Sequence, residues 1–236
     1  MVSAPLDDTP ASVLAVYAHP DDPEISAGGT LARWAAAGAE VWTLITTRGD
    51  KGSTDPASDG EALARLRVEE TEAASELLGF KGHLHLDYPD GELPDDLDLR
   101  AAIVRHVREV RPQVVLCPDP TAVFFGDAYF NHRDHRVTGW VTLDAVAPAA
   151  GNPHYFPDRG AAHRVESLYL SGTLEPDVWV DVSESIDAKA AAIACHVSQL
   201  GEAGEWLRNV VRQRAEEAGR EASVPLAEGF RRIALP

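Results

Sequence analysis

Two short segments of the chain concentrate side chains that are able to bind a divalent metal ion. Residues 19–24 hold one imidazole and three carboxylates, and residues 132–135 begin and end with a histidine. If the segments meet, His19, Asp22 and His135 supply two imidazoles and one carboxylate, which suit zinc above other divalent ions. Three protein ligands leave one position open for water, as catalytic zinc sites do. The spacing therefore predicts metal-assisted hydrolysis.

Three further side chains in these segments are suited to the other steps of such a reaction. Asp21 is adjacent to a predicted ligand and is not needed as one, so we expect it to act as the general base. His132 lies one helical turn from His135 and is suited to stabilise a developing oxyanion. Asp134 is placed to accept a hydrogen bond from an imidazole and so to fix its tautomer.

Both segments follow apolar runs that are typical of buried parallel strands. Residues 13–17 and 114–117 are short and apolar, and amphipathic helical patterns and a β-branched run at 41–47 lie between them. This alternation predicts an α/β fold with a Rossmann-like, doubly wound and mostly parallel sheet flanked by helices. Ligands of such sheets bind at the carboxyl ends of the strands, which is where both segments begin. The pattern leaves the strand order open.

The length of 236 residues fits one domain, since no linker, repeat or low-complexity tract divides the chain. We place the core of this single domain at about residues 13–200. Residues 201–236 are charged and alanine-rich and are predicted to form a helical or extended tail that packs on the sheet or on a neighbouring subunit.

The composition excludes several classes of partner. The formal net charge is −17, so the chain lacks the basic surplus that binding to a nucleic-acid backbone requires. No apolar run approaches the length of a membrane span, and nothing at the N-terminus resembles a secretion signal. The two cysteines, at positions 117 and 195, have no ligand-like spacing. We therefore expect a cytoplasmic protein with a small-molecule substrate, for which a homo-oligomer is compatible with the sequence.

Several of the candidate site residues also occur in patterns with a common structural role. Asp22 comes before a proline, a pattern typical of a helix N-cap, although the charge density of residues 19–24 favours a binding site. Arg67 and Glu70 have the spacing of a solvated ion pair on a helix, and Asp90 precedes a glycine as turn residues do.

The two segments resemble those of a known family, the PIG-L/LmbE-like zinc-dependent deacetylases, which remove N-acyl groups from aminosugars. Residues 18–24, AHPDDPE, are close to the family's Ala-His-Pro-Asp-Asp-Glu motif, with Pro23 inserted before the glutamate. Residues 132–135, HRDH, are close to its His-Pro-Asp-His motif, with Arg133 in place of the proline. Weaker matches extend the resemblance over residues 13–199.

The resemblance implies a role for each matching residue. The implied zinc ligands are His19, Asp22 and His135, and the implied general base is Asp21. His132 is implied to stabilise the tetrahedral intermediate, with Asp134 supporting it. The implied sugar contacts are Arg67 and Asp90. Some members use a tyrosine two residues before the first histidine of the second motif. This chain has Phe130 there, with Tyr129 beside it, which leaves a hydroxyl-assisted step open.

We therefore predict a zinc-dependent hydrolase that removes an N-acetyl or other N-acyl group from an aminosugar or its conjugate. The alternative is an amidase of a larger conjugate, such as a thiol S-conjugate or an antibiotic glycoside, because substrate choice depends on loop shape. A non-catalytic metal- or sugar-binding module is disfavoured, because binding alone does not require the complete set of predicted ligands and catalytic residues. A nucleotide-binding enzyme is disfavoured because no Gly-x-Gly-x-x-Gly turn follows the first strand. A connector and a substrate lid both remain open for residues 152–160, as does a contact of His163 with the pocket.

Overall fold

A computed structural model describes residue 6, residues 8–200 and residues 204–236 of the chain. Residues 201–203, at the start of the predicted tail, lie outside the described residues. The strands are β1 (Ser12–Tyr17), β2 (Glu40–Thr47), β3 (Gly82–Tyr88), β4 (Val114–Pro118), β5 (Phe124–Phe125), β6 (Tyr129–Phe130), β7 (Ser167–Ser171), β8 (Val178–Asp181) and β9 (Ala227–Ala234). The helices are α1 (Asp22–Ala36), α2 (Gly60–Leu77), α3 (Leu97–Val110), α4 (Arg133–Asp144), α5 (Ile186–Ile193), α6 (Val197–Leu200) and α7 (Gly204–Ala222), and a π-helical segment (Ala145–Ala150) follows α4. None of the described helices has the length and apolar character needed to cross a bilayer.

The central sheet of the described chain has seven strands in the order β3-β2-β1-β4-β7-β9-β8. β1, β2, β3, β4 and β7 pair in parallel with their neighbours, whereas β9 is antiparallel to both β7 and β8. Helices cover both faces of the sheet. The prediction of a single-domain, doubly wound and mostly parallel α/β fold is confirmed.

The apolar run that predicted β1 is buried on both faces of the sheet. Val13, Ala15 and Tyr17 belong to one hydrophobic cluster, whereas Leu14 and Val16 belong to the other. Successive side chains of a strand point to opposite faces, so a strand between two helical layers must be apolar at every position.

The site is located where the strand order reverses direction. β1 pairs with β2 on one side and with β4 on the other, so the loops after β1 and β4 diverge and leave a crevice between them. Residues 18–21 follow β1 directly, and residues 119–132 connect β4 to α4. This topology brings the two predicted metal-binding segments together, although more than 100 positions separate them in the sequence.

The predicted tail is part of the sheet. β9 lies between β7 and β8, and Phe230 at its centre is fully buried in the same cluster as Tyr17. The sequence pattern concealed this strand because Arg231 and Arg232 interrupt the apolar alternation near the end of the chain. The described part of the tail is a helix and a strand, as the sequence predicted, but the buried core extends beyond the predicted boundary at residue 200 into β9.

Residues 152–160 lie at the amino ends of the parallel strands, whereas the crevice lies at their carboxyl ends. The buried guanidinium of Arg108, in the last turn of α3, donates to the carbonyl oxygens of Phe156 at 2.7 Å and Tyr155 at 2.8 Å. His163 Nε2 lies 2.8 Å from the carbonyl oxygen of Pro112, just before β4. Because α3 leads into the amino end of β4, this segment is a connector and not a lid, and His163 does not reach the crevice.

Candidate metal centre and active site

The turn between β1 and α1 directs charged side chains into the crevice. The backbone N–H of His19 donates to Asp22 Oδ2 at 2.8 Å, which closes the turn. Asp21 has a φ of 106°, in the left-handed region that residues other than glycine rarely adopt. Such backbone strain costs about 1–3 kcal/mol and is concentrated at functional sites. Asp22 is not the N-cap: Asp21 occupies that position without a side-chain capping bond, and α1 begins at Asp22.

The side chains of the three predicted ligands meet in the crevice. His19 Nδ1 lies 3.2 Å from His135 Nε2 and 3.3 Å from Asp22 Oδ2. His135 Nε2 also lies 3.2 Å from Asp22 Oδ1. A tetrahedral zinc site with bonds of about 2.0–2.1 Å holds its ligand atoms about 3.3–3.4 Å apart. Donor chemistry and spacing therefore fit a single divalent metal ion held by all three residues.

Partners behind each imidazole determine which ring nitrogen faces Asp22. His135 Nδ1 lies 3.0 Å from Asn131 Oδ1, and an amide oxygen can only accept a hydrogen bond, so this nitrogen carries the hydrogen. His19 Nε2 lies 3.1 Å from Asp90 Oδ1, a carboxylate oxygen that likewise accepts. In its neutral form, each imidazole therefore presents an unprotonated nitrogen to Asp22, as a metal ligand must.

The carboxylates around the imidazoles are held in their charged form. Burial opposes ionisation of Asp22, but the charge and hydrogen bond of His135, with the hydrogen bond of His19, hold its pKa well below the usual value. Burial also opposes the ionisation of Asp90 and Asp134, and hydrogen bonds from His19 lower the pKa of both. Burial opposes protonation of His19, but its hydrogen bonds with Asp134, Asp22 and Asp90 hold its pKa well above the usual value. The carboxylates therefore favour positive charge at the centre of the cluster, which a divalent ion would supply.

Asp21 behaves differently from its neighbour. Burial and the negative charge of Asp22 raise the pKa of Asp21 to about 7, although the positive charge of Arg67 opposes this shift. Arg67 Nη2 lies 3.3 Å from Asp21 Oδ2. The same guanidinium is 3% exposed and donates to the backbone carbonyls of Pro20 and Gly49. Arg67 thus stabilises the strained turn through its backbone contacts. Its charge offsets only part of the rise in the pKa of Asp21, which remains in the range that suits acid–base catalysis near neutral pH.

His132 lies beside the three predicted ligands. Its ring centroid is 4.9 Å from that of His19, and its Nδ1 accepts a hydrogen bond from the backbone N–H of Asp134 at 3.3 Å. In the neutral ring, the hydrogen is then on Nε2. Burial and the charge of His19 lower the pKa of His132, which favours this neutral form.

Two other groups of residues in the described chain have donor atoms within 4.8 Å of one another. One consists of His19, His132 and His135, and the other of His19, Asp90 and Asp134. Sequence reasoning predicted neither group. The short contacts of Asp22 with both imidazoles, and the hydrogen bond that occupies His132 Nδ1, favour the predicted set.

All eight residues predicted for the site lie in or beside the crevice, but two have contacts that were not foreseen. Asp90 contacts His19, and Arg67 contacts the Asp21 turn, so their predicted contacts with a sugar remain predictions. Asn131, which orients His135, was missed. Its position four residues before His135, one helical turn away, was the available signal.

The loops of β2 and β3 support Asp90. Asp50 Oδ1 accepts a hydrogen bond from the backbone N–H of Asp90 at 2.9 Å, and Lys51 Nζ donates to the Asp90 carbonyl at 2.6 Å. The backbone N–H of Gly91 donates to Asp134 Oδ2 at 2.6 Å. The carboxylates behind His19 are therefore fixed by the backbone of the loop that follows β3.

Comparisons with known proteins identify the family to which the chain is similar. The family model described as "PIG-L: GlcNAc-PI de-N-acetylase" matches residues 14–146. The diacetylchitobiose deacetylase of Thermococcus kodakarensis is 34% identical over 235 residues, which cover 98% of this chain and 85% of that protein. The 1D-myo-inositol 2-acetamido-2-deoxy-alpha-D-glucopyranoside deacetylase of Rhodococcus jostii is 31% identical over 245 residues, covering 80% of this chain and 81% of that protein.

A solved structure shows the same fold. The N,N'-diacetylchitobiose deacetylase of Pyrococcus horikoshii, in complex with an inhibitor, superposes with a TM-score of 0.88 at 30% sequence identity. The match covers 99% of this chain and 87% of that one. The family resemblance seen in the two motifs is thereby confirmed over nearly the whole chain.

The strained turn makes a prediction about stability. Asp21→Gly and Asp21→Ala both remove the carboxylate, but only glycine adopts a φ of 106° without steric conflict. We expect Asp21→Gly to be more stable than Asp21→Ala by about 1 kcal/mol in urea unfolding. As a control, Glu69 is exposed within α2, and there the glycine variant should be the less stable of the pair. An Asp21→Gly variant less stable than Asp21→Ala would contradict strain at this position.

Proposed function

The chain belongs to the PIG-L family, and we propose that it is a zinc-dependent hydrolase that removes the N-acetyl group of an aminosugar or aminosugar conjugate. The observation that carries the proposal is the cluster of His19 Nδ1, Asp22 and His135 Nε2 at contacts of 3.2–3.3 Å, with Asp21 beside it. The relatives named above are deacetylases of N-acetylated aminosugars, which supports the same bond and substrate class here.

His19, Asp22 and His135 would hold the metal ion. Two imidazoles and a carboxylate are a donor set that zinc accepts in catalytic sites, and the three leave a further coordination position free. When bound, zinc would lower the pKa of a water molecule to about 7 and polarise the amide carbonyl.

Asp21 and His132 would carry the proton transfer and the charge of the reaction. Asp21 takes a proton from the attacking water and later returns it to the leaving amine, a role supported by its pKa of about 7. His132 donates from Nε2 to the oxyanion that develops on the carbonyl, because its Nδ1 is occupied by the Asp134 backbone N–H. The Asp134 carboxylate supports the site from behind His19.

Arg67 and Asp90 are the proposed contacts of the acetylated sugar. Asp90 lies at the edge of the crevice, on the His19 side of the metal cluster. Arg67 is nearly buried, so a sugar contact there would be made at the Asp21 turn. A location in the cytoplasm and a homo-oligomeric state stay predictions from the sequence.

The proposal is tested by measuring release of acetate and of primary amine from N-acetylglucosamine, N,N'-diacetylchitobiose and the GlcNAc-inositol conjugate. Each assay is run with purified protein, after chelation and after addition of zinc. We expect turnover of at least one substrate, lost on chelation and restored by zinc, because metal removal leaves three ligands without their ion. No turnover by zinc-loaded protein, together with cleavage of a larger amide conjugate, would contradict the aminosugar proposal and favour the alternative amidase.

Two variants separate metal binding from catalysis. His135→Ala removes one of three ligands and should lose zinc, whereas Asp21→Asn should retain zinc and lower kcat by about 10²–10⁴-fold. Zinc content after gel filtration and steady-state kinetics give the two readouts. His154→Ala, an exposed histidine at the amino ends of the parallel strands, is the control and should change neither. Full zinc occupancy in His135→Ala, or near-normal kcat in Asp21→Asn, would contradict the corresponding role.

A further inference from the structure

A second pair of histidines lies outside the crevice, on the strand at the edge of the described sheet. His83 and His85 alternate with Leu84 and Leu86 along β3. Residues two apart in a strand share a face, so both imidazoles lie on the face opposite to the two leucines, which pack against the hydrophobic cluster on the other side of the sheet. Both histidines are half-buried, and the reaction proposed above uses neither of them.

The two imidazoles bring one nitrogen each to the separation of metal ligands. His83 Nδ1 lies 3.2 Å from His85 Nε2, the same distance that separates His19 Nδ1 from His135 Nε2 in the crevice. The ring centroids are 5.3 Å apart, compared with 5.1 Å for the pair in the crevice. This nitrogen separation is at the long end of the hydrogen-bond range and close to the about 3.3–3.4 Å between two imidazole nitrogens on a tetrahedral zinc ion.

The environment of His85 keeps its imidazole neutral. Burial and the nearby positive charge of His83 lower the pKa of His85 to about 4, although the negative charge of Asp87 opposes this shift. A neutral imidazole offers a lone pair to a transition metal ion at physiological pH. Neither imidazole forms another hydrogen bond within the described part of the chain, so the second ring nitrogen of each is able to carry the hydrogen.

Room for the rest of a coordination shell lies beside His85. A cavity of about 180 Å³ between β3 and α2 is lined by His85, by the carboxylates of Glu61 and Asp87 and by Arg48 and Arg65, among others. Arg48 Nη1 lies 2.8 Å from Glu61 Oε1, and Arg48 Nε lies 3.7 Å from Asp87 Oδ1, so carboxylates balance its charge. A polar cavity of this volume holds several water molecules, which are able to occupy the coordination positions that the imidazoles leave free.

The donor set determines the class of ion and the strength of binding. Imidazole ligands suit zinc, copper and nickel, whereas Ca²⁺ and Mg²⁺ prefer oxygen ligands. Neither group of three donors found in the crevice includes His83 or His85, so this pair supplies two ligands only. Metal-binding histidines usually have an outer partner that orients the ring, and loss of that partner lowers metal affinity about 10–100-fold. A site without such partners should therefore bind its ion more weakly than the crevice does and fill after it.

We propose that His83 and His85 form a second metal site, which binds one divalent transition ion such as Zn²⁺ and takes water in the remaining coordination positions. The inference is independent of the proposed function, because neither histidine lies in the crevice. An ion bound to the folded chain would link two residues of the edge strand and stabilise it. Since β3 ends at Tyr88, two residues before Asp90, the ion would stabilise the strand from which the Asp90 loop begins.

Calorimetric titration of the zinc-loaded protein with further Zn²⁺ tests this site. We expect one additional ion per chain, bound with an affinity at least about 10-fold lower in His83→Gln and in His85→Gln, because glutamine keeps the polarity of the side chain but lacks the imidazole nitrogen. His154→Ala removes an exposed histidine from another part of the chain and is the matched control, which should bind the additional ion as the unchanged protein does. Titration with Ca²⁺ should show no comparable binding.

Thermal unfolding gives a second readout, since excess Zn²⁺ should raise the Tm of the unchanged protein and of His154→Ala more than the Tm of the two glutamine variants. Absence of an additional ion in the unchanged protein would overturn the inference. Equal zinc affinity in both glutamine variants, or equal binding of Ca²⁺, would also overturn it, because surface carboxylates would then hold the ion. His135→Ala should still bind the additional ion, so failure of the proposed catalytic metal centre and failure of this site give different results.

Discussion

The rest of the site depends on one electrostatic arrangement, the approach of a buried carboxylate to two imidazole nitrogens. Asp22 contacts His19 and His135 at 3.2–3.3 Å, and removing these three groups from water is costly unless a charge satisfies all of them. Asn131 and Asp90 hold the imidazoles from behind. A divalent ion between the three groups would turn this unfavourable cluster into a coordination site, and Asn131 and Asp90 orient the imidazoles as such a site requires.

The C-terminal part of the chain supports the helix that begins with Asp22. Glu228 of β9 accepts hydrogen bonds from the backbone N–H groups of Gly29 at 3.0 Å and Thr30 at 2.8 Å. Its charge is balanced by Lys189 of α5, whose Nζ lies 2.6 Å from Glu228 Oε1. This ion pair is buried, so loss of one partner would leave an uncompensated charge beneath α1. The last strand of the sheet is therefore tied to the helix that carries a proposed ligand.

Sequence reasoning could recover the parts of the site in which chemistry and local pattern coincide. The clustering of His19 and Asp22 after an apolar strand, and of His132 and His135 before a helix, was enough to predict their meeting, because doubly wound sheets bring such loops together. The family resemblance implied a sugar contact for Asp90, whereas its position before a glycine indicated a turn residue. Neither predicted its contact with His19, because that contact joins loops of separate strands. β9 was missed because an antiparallel strand near the sheet edge needs fewer apolar residues than β1. Asn131 was missed because an amide beside a histidine has many structural uses.

The central claim is that one divalent ion is held by His19, Asp22 and His135. A crystal of the zinc-loaded protein, measured on both sides of the zinc absorption edge, locates the ion by its anomalous scattering. We predict one strong peak within about 2.0–2.2 Å of His19 Nδ1, an Asp22 carboxylate oxygen and His135 Nε2. A peak bound to His19 Nε2, Asp90 and Asp134, or one that includes His132 in place of Asp22, would contradict the account.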